Sequence, residues 1–319
     1  MRNIQLIEVC SDIGAGTHGA CFGFESLQMI AQLDTKSPFL SYPVKRCEIP
    51  VIQGFSSPFA KNIETIYSIC QSVANEVNQS LSEQYFPVVI SGDHSCAAGT
   101  IAGIKMAKPC SRLGVIWIDA HADLHSPFTT PSGNMHGMPL AASIGNDNKA
   151  NQRQQIDLST NVYWNRLKTL GNISPKILPQ DIVYISLRDF EQEEAALIKS
   201  YGIKAISTQT VRRAKITGIV ETILRQLEYC SDIYISFDTD CLDTSFSHGT
   251  GLPVDNGLIP SEAGQLLSLL LSNPKVCTLE FTELNPYLDI NCETSTIMYQ
   301  LLKKGINALQ KQELAQQVA

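Results

Sequence analysis

This chain has no run of basic residues, no closely spaced pair of cysteines and no long apolar stretch, and each absence removes a class of protein. Lysine and arginine number 24 against 31 aspartate and glutamate, a formal net charge of −7. A general nucleic-acid binder draws its affinity from clustered cations over phosphates, so that function is excluded. No apolar segment approaches the roughly 20 residues a bilayer-spanning helix needs. The opening Met1-Arg-Asn-Ile-Gln-Leu-Ile-Glu-Val9 lacks the apolar core of a secretory signal. Ten cysteines are scattered singly, none in a C-x-x-C pair, which points to reduced thiols. The expectation is a soluble, cytoplasmic protein that uses neither nucleic acid nor membrane. With 44% hydrophobic residues in 319, a large core is available.

Short Val- and Ile-rich runs alternate with helical patterns. Strands are expected at Ile4–Cys10, Pro87–Ser91, Leu113–Ile118, Asp181–Ser186, Ile203–Ser207, Asp232–Phe237 and Val276–Glu283, apolar on both sides as in a sheet covered on two faces. Helices are expected at Phe59–Glu83, Val211–Tyr229, Ser261–Leu271 and Glu293–Leu309, with Pro260 suited to a helix start. Asp147–Ser159 is polar and reads as a surface excursion, and Gln310–Ala319 as a polar end that frays or meets a partner copy. The alternation predicts an α/β fold, three-layer αβα around a mostly parallel sheet, in one domain spanning 1–319.

Three polar segments each follow an apolar strand: Gly92-Asp-His94, Asp119-Ala-His-Ala-Asp123 and Asp238-Thr-Asp240. In extended backbone, side chains at i, i+2 and i+4 point the same way, so Asp119, His121 and Asp123 are expected on one side, as are Asp238 and Asp240. Parallel α/β sheets place ligands beyond the carboxyl ends of their strands. Four carboxylates and two imidazoles held together are costly without cations. His94, Asp119, His121, Asp123, Asp238 and Asp240 supply oxygen and nitrogen ligands for two metal ions. The absence of thiolate favours Mn²⁺ or a related ion over structural zinc. Two such ions roughly 3.5 Å apart share a bridging hydroxide, a strong nucleophile at neutral pH, and a neutral cluster of this kind suits a cationic electrophile such as a guanidinium. Taken singly the pieces have plainer explanations: Asp-x-Asp is commonly a turn, and Ser95 could cap a helix beginning near Cys96. Four of the six histidines fall between positions 94 and 136, which strengthens the joint reading. Cys96 and Cys241 flank ligand segments and are read as small buried residues.

These segments resemble the ureohydrolase family, and within it the arginases. The resemblance rests on Ser-Gly-Asp-His-Ser at 91–95, Trp-Ile-Asp-Ala-His-Ala-Asp at 117–123, Ser-Gly-Asn-Met-His-Gly at 132–137, Ser-Phe-Asp-Thr-Asp-Cys-Leu-Asp at 236–243 and Glu-Leu-Asn-Pro at 283–286, in order along most of the chain. It implies an arginase-like α/β fold, two Mn²⁺ per chain, hydrolysis of arginine to ornithine and urea, and a homotrimer or homohexamer. It further implies that His94, Asp119, Asp123 and Asp238 hold one manganese. Asp119, His121, Asp238 and Asp240 would hold the second, with Asp119 and Asp238 bridging. By the same resemblance His136 shuttles protons, Asp123 assists proton delivery, Glu283 pairs with the guanidinium, and Ser132 and Asn134 read the substrate α-carboxylate. The Ser-Gly-Asn-x-His-Gly loop is the arginase-like element among these.

Three positions depart from the family pattern. His125 stands where an asparagine is usual, Glu191 where an aspartate meets the α-amino group, and Leu252 where a hydroxyl residue is usual. A lost hydroxyl costs about 1 kcal/mol of interaction or reshapes substrate choice. They keep open a ureohydrolase for another guanidine, agmatine or a guanidino acid. A catalytically weak metal-binding relative and a single-zinc deacetylase on a related fold fit the complete ligand set less well.

Overall fold

The computed structural model describes residues 2–50 and 57–318. Eight strands follow one another along the chain: β1 (Ile4–Val9), β2 (Val44–Arg46), β3 (Phe86–Ser91), β4 (Leu113–Ile118), β5 (Ile182–Ile185), β6 (Lys204–Ile206), β7 (Asp232–Asp238) and β8 (Val276–Thr282). Among the described residues they form one sheet in the order β2-β1-β3-β8-β7-β4-β5-β6, parallel at every pairing. β1, β3, β4, β5 and β8 are buried along their whole length, β3, β4 and β5 through nearly continuous apolar runs and β1 and β8 with Gln5, Glu8 and Glu280 buried among their apolar residues. The edges differ. β2 is a three-residue Val-Lys-Arg strand missed by the sequence reading, and Lys204 and Ala205 of β6 are exposed rather than covered, as short polar strands that blunt a sheet edge are.

The helices are α1 (Gly23–Gln32), α2 (Ile63–Ser82), α3 (Ala97–Ala107), α4 (Pro139–Ile144), α5 (Leu158–Lys168), α6 (Gln192–Tyr201), α7 (Thr208–Arg213), α8 (Ile216–Gln226), α9 (Pro260–Leu271) and α10 (Glu293–Val318). Phe24 and Leu27 of α1, Ile223 of α8, Leu266 and Leu270 of α9 and Met298 and Leu302 of α10 pack on Leu6, Ile118, Phe237 and Phe281 at one face. Val73 and Val77 of α2, Ile101 of α3 and Leu197 of α6 cover Val89, Trp117 and Tyr234 at the other. A further layer sits outside α2 and α3, where Trp164 and Leu167 of α5 meet Ile66, Ala98, Ala102 and Ala141. α2 and α3 touch backbone to backbone: a Cβ added at Gly99 would lie 2.5 Å from the Cys70 carbonyl oxygen, and one at Gly103 2.6 Å from that of Ala74.

The expected helix over Val211–Tyr229 is two, α7 and α8, because Ala214 and Lys215 are extended at ψ 162° and 136°. The polar excursion after Asp147 gives way to α5, whose first turn is capped by the Asp157 carboxylate accepting from Thr160 N at 2.8 Å. α10 runs on through Gln310 to Val318, while Ala319 lies outside the described residues. No helix among the described residues is long and apolar enough to cross a membrane.

Candidate active site

The four central strands β3, β8, β7 and β4 are neighbours, and their carboxyl ends open on one pocket. β3 leads to Asp93 and His94, β8 to Glu283, β7 to Asp238 and Asp240, and β4 to Asp119, His121 and Asp123. All six residues read from the sequence as metal ligands line this pocket of about 420 Å³, together with His125, Ser132, Asn134, His136, Glu191 and Glu283.

The residues meet for a different reason from the extended alternation expected. Asp119 and Asp238 stand at the last position of a strand or just beyond it, and the chain then turns sharply. The Asp119 carboxylate accepts from His121 N at 2.6 Å and that of Asp238 from Asp240 N at 2.8 Å. These are side-chain-closed turns. Asp123 is left-handed at φ 52° and Glu283 at φ 61°, and backbone strain of this kind collects where a site over-determines the chain. Asp93, not Ser95, caps the turn ahead of α3: it accepts from Ser95 N and Gly14 N, each at 2.9 Å. Arg188 fixes the Asp240 loop, donating to the carbonyls of Asp240 at 2.7 Å and Val254 at 2.8 Å.

His94 Nδ1 lies 3.0 Å from Asp119 Oδ2, 3.1 Å from Asp123 Oδ2 and 3.0 Å from Asp238 Oδ2. Yet Nδ1 and Asp119 Oδ2 are buried with no hydrogen-bond partner. Electron-rich atoms at such spacing repel unless a cation lies among them. His121 Nδ1 sits 2.9 Å from Asp240 Oδ2 and 3.6 Å from Asp119 Oδ1, so Asp119 is shared by two clusters of potential ligands. The orphaned atoms and the all oxygen-and-nitrogen donor set fit two divalent ions. Cys96 and Cys241 instead point into apolar packing. The four aspartates are at most 7% exposed. Burial, and then the charge of Asp119, push Asp123 up to about 6, and burial and neighbouring carboxylates raise Asp238 and Asp240. Burial also opposes the charge of Asp119, but bonds to His121 and His94 lower it and keep it ionised. Without cations, protons must fill this centre.

Beside the cluster, Glu283 Oε1 accepts from His94 N and lies 3.0 Å from His136 Nδ1. Burial disfavours the imidazolium of His136, but the Glu283 charge outweighs it and raises His136 to about 9. The loop carrying Ser132 and Asn134 is locked by Gly133 at φ 75°, where a Cβ would fall 2.0 Å from the Pro58 carbonyl oxygen. Lys61 Nζ donates to Asn134 Oδ1 at 2.9 Å. Two of the departures from the family pattern face each other: His125 Nε2 is 3.0 Å from Glu191 Oε2, and its Nδ1 is 3.1 Å from Thr129 Oγ1. The third, Leu252, is half exposed and lines the same pocket.

The sequence reading missed Asp189, on the pocket wall with Oδ2 3.6 Å from His121 Nε2, and Glu194, 3.5 Å from His125 and pushed up to about 8 by burial. Glu194 had a signal in its spacing: it lies three residues after Glu191 and accepts from Glu191 N at 3.1 Å, the pattern of a helix-start capping box.

A family model described as "Arginase family" matches residues 2–306. The arginase of Bacillus caldovelox is 33% identical over 311 residues, 95% of this chain and 97% of that protein. The arginase of Bacillus subtilis (strain 168) is 32% identical over 305 residues, with 95% and 97% covered. The crystal structure of arginase from Bacillus subtilis superposes with a TM-score of 0.79 at 30% identity, covering 96% of this chain and 98% of that one.

Proposed function

The chain belongs to the arginase family, and on that premise we propose that it is an arginase that hydrolyses L-arginine to L-ornithine and urea with two Mn²⁺ per chain. The observation that carries this reading is the convergence of His94 Nδ1 with three carboxylate oxygens at 3.0 to 3.1 Å, Nδ1 and Asp119 Oδ2 being buried without a hydrogen-bond partner, beside the Glu283–His136 pair. His94, Asp119, Asp123 and Asp238 would hold one ion, and Asp119, His121, Asp238 and Asp240 the other. When bound, the ions supply Lewis-acid charge and an activated water at neutral pH.

The remaining work falls to side chains. One oxygen of Glu283 is taken by His94 N and His136, which leaves its carboxylate to meet the guanidinium by charge-assisted hydrogen bonds. His136, protonated against Glu283, delivers a proton to the departing amine and recovers it from solvent, with Asp123 assisting. Ser132 and Asn134 receive the α-carboxylate and Glu191 the α-amino group. His125, engaged at both ring nitrogens, shapes that wall of the pocket. We assign the whole chain to one catalytic domain working in the cytoplasm as a homotrimer or homohexamer, in keeping with ten unpaired cysteines.

A second reading, hydrolysis of another guanidine, is favoured by Leu252, His125 and Glu191, which all line the pocket. Urea release by the Mn²⁺-loaded protein, with L-arginine and agmatine side by side, tests both. Turnover of arginine alone supports the arginase, preference for agmatine shifts the assignment, and no urea from either refutes both of those substrates.

A further inference from the structure

Two of the three departures from the family pattern meet in the pocket, and their contact bears on which substrates fit. His125 is 6% exposed and is tied down on the side away from the acids. Its backbone N donates to the Gly137 carbonyl at 3.0 Å, and its ring Nδ1 is held 3.1 Å from Thr129 Oγ1. Nε2 faces carboxyl groups, Glu191 Oε2 at 3.0 Å and Glu194 Oε2 at 3.5 Å. An ionised Glu191 only accepts, so Nε2 carries a proton and donates it to Glu191 in either charge state of the ring.

Glu194 is also supplied from inside the protein. Its Oε1 accepts from Leu124 N at 3.0 Å and its Oε2 from Glu191 N at 3.1 Å. The acids that would greet an α-ammonium therefore already hold internal donors. A site built to bond a substrate N–H rejects the analogue lacking it by about 10⁴-fold or more, because its buried acceptors are then left unpaired. Here a missing amine strands no buried acceptor. Glu194 keeps its two backbone donors, and Glu191 keeps His125 while its side chain, 47% exposed, is open to water. The carboxylate end is built differently. Ser132 Oγ accepts from Asn134 N at 3.2 Å, and Asn134 Oδ1 accepts from Lys61 Nζ at 2.9 Å. The Ser132 hydroxyl and the Asn134 amide thus each retain a proton to give to a substrate carboxylate.

We propose that this chain hydrolyses ω-guanidino carboxylates that have no α-amino group as well as arginine, the His125 N–H taking the place of the substrate ammonium at Glu191. The proposal rests on reading the pocket as a guanidine-hydrolysing site and deepens that reading by naming a substrate class. The reaction needs water alone. The water oxygen bonds to the guanidinium carbon. The bond from that carbon to the chain nitrogen breaks with its electron pair passing to nitrogen, which leaves as an amine carrying the protons of the water. The products are urea and an ω-amino carboxylate. The α-carbon takes no part in these bond changes, so loss of its amino group touches recognition and not the chemistry.

The test is urea release by the full-length, Mn²⁺-loaded protein, read as kcat/KM. The substrates are L-arginine, δ-guanidinovalerate (arginine without its α-amino group) and agmatine (arginine without its carboxylate). The expected result is δ-guanidinovalerate within about 30-fold of arginine, far short of the roughly 10⁴-fold loss in an amine-reading site, with agmatine poorer than both. His125→Asn restores the residue usual in the family and frees Glu191. It should raise the ratio of arginine to δ-guanidinovalerate by about 10-fold or more. A wild-type preference for arginine greater than about 30-fold would overturn the proposal, whether or not the variant folds. A folded, metal-loaded His125→Asn enzyme with the wild-type ratio would overturn the role given to His125. No urea from any of the three substrates, with both ions bound, would instead overturn the guanidine-hydrolysing reading itself.

Discussion

Removing the metal should make this protein's stability fall as pH rises from about 4 to 7, and the size of the effect follows from the buried aspartates. Asp123 is raised by burial and by the Asp119 charge from 3.8 to about 6. In that window the folded metal-free protein keeps a proton that the unfolded chain releases. A raised carboxyl therefore contributes stability that is complete below pH 4 and lost as pH climbs through 6. At about 1.4 kcal/mol per pH unit, Asp123 alone accounts for about 3 kcal/mol. Asp238 and Asp240 shift in the same direction. His94 and His121 are also raised by the surrounding carboxylates against the opposing effect of burial, and extend the loss to higher pH. Asp119 moves the other way, but its contribution is already complete above pH 4. With Mn²⁺ bound, cations take the place of these protons. Urea unfolding of chelator-treated and Mn²⁺-saturated protein, at fixed ionic strength between pH 4.5 and 7.5, should show a gap that widens by about 3 kcal/mol or more. A gap independent of pH would refute the reasoning, because it would mean that the carboxylates do not exchange protons for metal.

Three further outcomes are expected. His136→Ala should slow urea release by about 10²-fold or more with metal content unchanged; loss of metal in that variant would place His136 in the wrong role. Burial lowers Lys176 to about 7 from 10.5, although its Nζ donates to the carbonyls of Leu167 and Lys168 at 3.1 and 2.7 Å. The unfolded chain binds the proton more tightly, so the destabilisation is full below pH 7 and fades toward 10.5. Lys176→Met should therefore be stabilising at pH 6.5 and lose that advantage by pH 10, whereas a difference unchanged with pH in denaturant titrations would contradict it. For His125→Ala and Glu191→Ala, the kcat/KM for arginine should show a coupling of about 1 kcal/mol, modest because Glu191 is half exposed to solvent; simple additivity would dissolve the pair.

The buried strands were legible because residues such as Val88, Val89 and Ile90 or Ile116, Trp117 and Ile118 are covered on both faces and leave an unbroken apolar run. β2 was not, since Val44-Lys-Arg46 has neither length nor an apolar pattern; it pairs with β1 by backbone register, and Glu8 meets Arg46 across it at 2.7 Å. Nor was the break between α7 and α8, where no Pro or Gly marks Ala214-Lys215. The clustering of His94, Asp119, His121, Asp123, Asp238 and Asp240 on one pocket was legible because carboxylates and imidazoles crowd three strand ends. How they converge was not: Asp119, His121 and Asp123 share a focus through turns and a left-handed residue, which strand alternation does not foresee. The pairing of His125 with Glu191 was hidden by a separation of 66 positions, each having been weighed alone against the family pattern.

The sheet order has a consequence for how the enzyme comes into being. β3 and β8 lie side by side, yet His94 and Glu283 are 189 positions apart in the chain. β7 and β8, made late, are inserted between β3 and β4, made early. Contacts of such high sequence separation form slowly, and a chain still being synthesised would expose the flanks of β3 and β4 to wrong partners until the last two strands arrive. If the proposed site takes up metal, capture would therefore be a closing event in maturation. A nascent chain can present His94, Asp119, His121 and Asp123 early, but it could not cage a cation until β7 and β8 had threaded into the centre.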